Sequence, residues 1–187
     1  FENNSGIFGG AILADGDGNQ TLTVTGATFN NNKAYNGAAI DIDNMKTTIS
    51  DCTFNNNLVV GPGSTGYYGS GGAIAVSGSS EFSLTDSDFT ANKATGTGAT
   101  GGAIHIGLSK DVATISDCTF TDNTAESMGN AIYNHGFLAL SGHSITADAA
   151  DITSVGKITS DVFVIVNNNN PESVDVEYYD AIPVTDS

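Results

Sequence analysis

Five short stretches of this chain alternate apolar and hydroxyl side chains. The pairs Leu22/Val24, Thr47/Ile49, Phe82/Leu84, Ala113/Ile115 and Leu138/Leu140 mark one face, mostly apolar. The intervening pairs Thr23/Thr25, Thr48/Ser50, Ser83/Thr85, Thr114/Ser116 and Ala139/Ser141 mark the other. A period of two is the signature of a half-buried strand, so five strands with one buried face are expected. A second set alternates around Ile12, Ile40, Ile74, Ile104 and Ile132, which should point inward. The residue after each (Leu13, Asp41, Ala75, His105, Tyr133) should then point outward. No stretch carries the apolar stripe of a helix.

These strands belong to a repeat. One beat is a phenylalanine with an asparagine three residues on: Phe1–Asn4, Phe29–Asn32, Phe54–Asn57, Phe89–Asn92 and Phe120–Asn123. The other is Gly-Gly-Ala-Ile or a near variant, starting at residues 9, 37, 71, 101 and 129. The two alternate strictly, at spacings of 28, 34, 30 and 28 residues between those starts. A unit this short cannot bury its apolar face alone, and stacked copies can. Equivalent strands then pair in parallel about 4.8 Å apart, each side chain above its counterpart. The expected fold is all-β: a right-handed parallel β-helix of about five to six coils over residues 1–145.

Two internal ladders follow. Phe29, Phe54, Phe89 and Phe120 should form an aromatic stack, and Asn32, Asn57, Asn92 and Asn123 an amide ladder at a turn. Asparagine tolerates the left-handed backbone expected there. The glycines permit a tight corner where a Cβ would clash. Both beats stop after Ile145. Residues 146–187 are expected to form an irregular final coil, then a cap, a linker or a strand donated to a neighbour. The chain opens on Phe1 with no signal-peptide pattern, so an excised piece of a longer secreted product is expected.

Alternating GGA(I/L/V) and FxxN tetrapeptides resemble the repeats of the chlamydial polymorphic membrane proteins, and methanogen adhesin-like proteins look similar. The resemblance covers roughly residues 1–145. It implies a surface-displayed β-helix that mediates adhesion and no catalytic residues.

Charge narrows the partners. Five Lys, no Arg and 21 Asp and Glu give a net charge of −16. Such a surface repels nucleic acid and anionic membranes and lacks a guanidinium clamp for phosphate or uronate. No apolar run of about 20 residues suits membrane insertion. An extracellular or cell-surface location is expected. The partner would be a protein or glycan on a host or neighbouring cell, or copies of the chain itself.

The candidate contacts are Tyr67 and Tyr68, on the longest inter-beat loop, and the outward pair His105 and Tyr133. The Thr/Ser columns resemble the ice-binding face of some antifreeze proteins, but half of the positions in one column are Ser and lack the methyl. "DGDGN" at 15–19 starts like a calcium loop but has Gln20 where such a loop needs its glycine. It reads as a turn, and a structural calcium ion elsewhere is left open as the one cofactor. Asp51, Asp86 and Asp117 share one column, which marks a turn requirement rather than an acid/base pair. Non-catalytic adhesion or spacing leads. The alternatives are a self-assembling filament subunit and, lower, a carbohydrate-active enzyme or an ice-binding protein. Cys52 and Cys118 fall in one column two coils apart, with Ser87 between them. About 9.6 Å separates such positions, so two free buried thiols are expected rather than a disulfide.

Overall fold

The computed structural model of the chain describes residues 1–61, 69–141, 152–160 and 166–168. These form strands joined by tight turns in a parallel β-helix, and every strand pairing is parallel. No helix among the described residues is long and apolar enough to cross a membrane.

Four sheets make the walls. The isoleucine sheet stacks Ile12–Asp15, Ile40–Asp43, Ile74–Ser77, Ile104–Ile106, Ile132–Asn134, Ile152–Ser154 and Val166–Asn168. The hydroxyl sheet stacks Thr21–Thr25, Lys46–Ser50, Glu81–Thr85, Val112–Ser116, Phe137–Ser141 and Lys157–Ser160. The phenylalanine sheet holds Thr28–Asn30, Thr53–Asn55, Asp88–Thr90 and Thr119–Thr121. Lys33–Ala34, Leu58–Val60, Lys93–Thr95 and Thr124–Ala125 form a narrow alanine sheet. The register is the one the repeat requires: Phe29 pairs with Phe54 and Phe54 with Phe89, and Ile40 pairs with Ile74. Identical residues therefore stack on identical residues, and the inward set of each strand merges into one continuous core. Ile152–Ser154 and Lys157–Ser160 extend the isoleucine and hydroxyl sheets past residue 145. Val166–Asn168 adds one more strand to the isoleucine sheet, and residues 169–187 lie outside the described ones, and with them the question of cap, linker or donated strand.

Corners are fixed by backbone chemistry. Gly101, first of its GGAI beat, has φ +67, and a Cβ there would sit 2.3 Å from the Ile104 carbonyl oxygen. Only glycine fits that approach. The corners after the first four hydroxyl strands use Gly26, Asp51, Asp86 and Asp117, all at positive φ. That is the turn requirement the aspartate column implied, since Asp visits the left-handed region at low cost.

One expectation about the asparagines is corrected. The left-handed residue is not the ladder asparagine but the one before it: Asn31, Asn56, Ala91 and Asp122 have φ between 53 and 55. That twist turns the ladder asparagine inward. At Ala91 the corner is held without the side-chain hydrogen bonding that eases it for Asn or Asp, at a cost of about 1–2 kcal/mol.

Candidate functional site

Inside the solenoid the two ladders are built as follows. Rings of Phe1, Phe29, Phe54, Phe89 and Phe120 stack at centroid distances of 4.8, 4.8, 4.6 and 5.0 Å. The strand spacing sets those distances. Beside them, the backbone N–H and Nδ2 of Asn57 both donate to Asn92 Oδ1, at 3.0 and 2.9 Å. The Asn57 amide also donates to the Phe29 carbonyl in the coil before, at 3.1 Å. Asn32 and Asn92 repeat the pattern towards Asn57 and Asn123. Only a short side chain with both a donor and an acceptor can satisfy each coil's buried amide this way. Apart from Phe1 at the open end of the stack, these residues are buried, so they hold the coils and offer nothing to a partner.

The cysteine column has a chemistry that spacing alone does not reveal. Cys52 and Cys118 are free and buried. Cys52 Sγ bonds the Ser50 carbonyl at 3.1 Å and accepts from the Ala27 N–H at 3.4 Å. Ser87 Oγ does the same one coil on, donating to the Thr85 carbonyl at 2.8 Å and accepting from the Cys52 N–H at 3.1 Å. Thiol and hydroxyl thus act as interchangeable small acceptors at a corner. Burial pushes the Cys118 thiol up to about 12, which keeps it unreactive. His143, the next residue of that column by sequence, lies outside the described residues.

The candidate contact residues separate. Tyr67 and Tyr68 lie outside the described residues. His105 and Tyr133 stand on neighbouring strands of the isoleucine sheet with their rings stacked at 5.2 Å and 11°. His105 Nδ1 also meets Thr100 Oγ1 at 2.8 Å. Burial, then the nearby His135, holds the His105 imidazole down at about 4, so it is neutral at physiological pH. Both rings are only partly exposed.

The same outer column carries a correction. Asp41 and Ala75, expected to face solvent, are buried. In the same column His105 meets Thr100, a member of the bridged row Asn36, Ser70 and Thr100 that runs along the preceding corner. The Asp41 carboxyl is pushed up to about 6, first by burial, then by the charges of Asp43 and Asp15. The folded chain therefore holds this proton more tightly than the unfolded chain, whose value is 3.8. Asp41 favours the fold below that value and costs stability as pH rises through about 6. Asp41→Asn is expected to raise the denaturation midpoint at pH 7.5, by at most about 3 kcal/mol, and to change little at pH 3.5. A variant no more stable than the parent at pH 7.5 would show that the carboxylate is solvated. His105 works with the opposite sign: its contribution is present above its ordinary 6.5 and is lost as pH falls towards about 4.

The DGDGN turn closes on itself. Asp17 Oδ1 accepts from the Asn19 N–H at 3.0 Å, and the Asn19 bonds hold its carboxyl below the usual range. Among the described residues no three His, Cys, Asp or Glu side chains gather as metal ligands would.

A surface groove lies on the hydroxyl sheet. Its outer face carries Thr23, Thr48, Ser83 and Thr114 in one column, with Thr21, Lys46, Glu81, Val112, Phe137 and Lys157 beside it. Lys46 Nζ and Glu81 Oε1 pair at 3.4 Å in solvent, a contact worth little by itself. A groove of about 630 Å³ runs over the threonine column between these residues. A second depression of about 390 Å³ lies around His135, Phe137 and Lys157 along the same edge. Lys157 Nζ sits 5.7 Å from the Phe137 ring centroid. The second column of this groove was not singled out by the sequence, because its residues share no chemistry and alternation marks only their direction.

Comparison with known proteins agrees with the repeat. A metabotropic glutamate receptor-like protein R of Dictyostelium discoideum is 38% identical over 117 residues, covering 63% of this chain and 6% of that protein. The chain thus spans a small fraction of that relative's length. No solved structure matches the chain. The model of the Chlamydia polymorphic membrane protein repeat matches residues 51–77 and 117–135. Each matched stretch starts at a left-handed aspartate, Asp51 or Asp117, and runs through a Phe–Asn pair to an isoleucine strand. At these two regions the chain carries repeats of the Chlamydia polymorphic membrane protein type.

Proposed function

We propose that this chain is part of a non-catalytic cell-surface β-helix that acts in adhesion. The observation that carries the reading is the match of its ladder-bearing coils to repeats of a polymorphic membrane protein. The similarity to a protein named as receptor-like points to the same exposed setting. The physics agrees. Catalysis needs unlike groups converging on one point, whereas stacked repeats place like groups in even columns. Their interior is given over to stiffness, and their exterior to area for contact. The test is attachment of beads coated with the protein to cultured cells. Saturable attachment, competed by soluble protein, is expected. Attachment no greater than that of albumin-coated beads across several cell types would overturn the reading.

A further inference from the structure

We propose that the outer face of the hydroxyl sheet is a binding track for an uncharged polysaccharide, laid along the solenoid axis. The inference rests on the adhesive reading and supplies its ligand class and its site.

The first argument is shape. The groove over Thr23, Thr48, Ser83 and Thr114 and the depression beside Phe137 follow one edge of a single sheet. Six strands stacked in register make a track about 24 Å long, five inter-strand steps. A track that long and open suits a chain molecule rather than a compact one. Its first four coils present hydroxyls at even steps, over three inter-strand spacings, before Ala139 takes the position in the fifth, and that regular stretch matches a ligand whose own chemistry repeats.

The second argument is charge. The chain carries −16 overall, yet the described outer positions of this face carry Lys46, Lys157 and a single acid, Glu81. Two of the five lysines are therefore here, and Lys46 is paired with Glu81. Its border is acidic, with Asp51, Asp86 and Asp117 at the corners that follow the second, third and fourth strands. An anionic polymer laid along the track would run beside that border and be repelled by it, so the face accepts a neutral one.

The third argument is the mix of groups. Hydroxyls both donate and accept, as sugar hydroxyls do, so pairs can form in either sense. Val112, 42% exposed, and the partly exposed Phe137 ring lie in the column beside the hydroxyls. They offer an apolar platform for the C–H face of a pyranose, which packs on aromatic surface. A regular ice lattice fits less well. The face is broken by the Lys46–Glu81 pair, and Thr25 and Ser50 bond each other at 3.2 Å.

The test is affinity electrophoresis and calorimetry of the whole chain with neutral β-glucan, mannan and chitin oligomers, and with heparan sulfate and alginate as anionic probes. Binding to at least one neutral polymer and none to the anionic ones is expected. Thr48→Asp with Thr114→Asp should weaken that binding at least about tenfold, and Phe137→Ala about fivefold, each at an unchanged melting temperature. Thr28→Asp with Thr90→Asp, on the phenylalanine sheet, adds equal charge away from the track and should bind as the parent does. No neutral polymer bound, anionic polymers preferred, or undiminished binding in both track variants would each overturn the assignment. The same variants are run in the bead assay. Parent beads that attach to cells, with track-variant beads attaching equally well, would sink the track and leave the adhesive reading standing. Parent beads that fail to attach would remove the adhesive reading itself.

Discussion

Asn92→Leu is expected to destabilise the protein by about 3–5 kcal/mol, among the largest losses any single substitution here would cause. Leucine fills similar space but returns neither half of the amide. The backbone N–H and Nδ2 of Asn57 both lose the Asn92 Oδ1 they donate to. The Phe54 carbonyl loses the Asn92 Nδ2 donor at 2.9 Å. All of this is out of reach of water, since Asn57 and Asn92 are fully buried. Each orphaned donor costs about 1–3 kcal/mol, against a typical total stability of about 5–15 kcal/mol. Urea denaturation followed by circular dichroism is the measurement. A repeat array is held by nearest-neighbour contacts, so a break at an interior coil should also broaden the transition and lower its slope. A midpoint within about 1 kcal/mol of the parent would mean that the ladder is replaceable by packing alone.

Phe54→Ala is expected to cost about 3–5 kcal/mol. Phe54 has no exposed surface and is sandwiched between Phe29 and Phe89 at 4.8 and 4.6 Å. Truncation deletes two ring contacts at once and opens a cavity that the stacked strands cannot close, because their separation is fixed by backbone hydrogen bonds. Phe54→Leu, which keeps most of the volume, should lose less than half as much. If the leucine variant fell as far as the alanine one, stacking itself rather than volume would be the main term.

How much of this was legible in the sequence depends on the kind of residue. The ladders were readable because the same residue returns at the same step, and stacking in register is the one arrangement that uses the return. Asp51, Asp86 and Asp117 were readable as corners for the same reason. Asp41 was not. Alternation tells which way a side chain points but not what lies beside it. The left-handed position was misplaced by one residue because Asn31 and Asn32, like Asn56 and Asn57, are both asparagine, and residue type alone cannot say which bends and which bonds. The hydrogen bonds of Cys52 and Ser87 were hidden because cysteine reads as a small apolar residue until its neighbours' amides are placed. The track on the hydroxyl sheet was half legible: its threonine column recurs, while Lys46, Glu81, Val112 and Phe137 share a column without sharing a property.

The parallel pairing has one mechanical consequence. In all four sheets the hydrogen bonds between strands run along the solenoid axis, as do those of the asparagine ladder. A pull between the two ends of the solenoid therefore loads these bonds lengthwise, in series, and each junction between coils bears the whole tension. The junctions are nearly alike, so none is a marked weak link in the interior. Such a body should yield from its ends, one coil at a time, and lengthen in even steps while the rest keeps its shape. A body loaded this way gives way gradually instead of snapping.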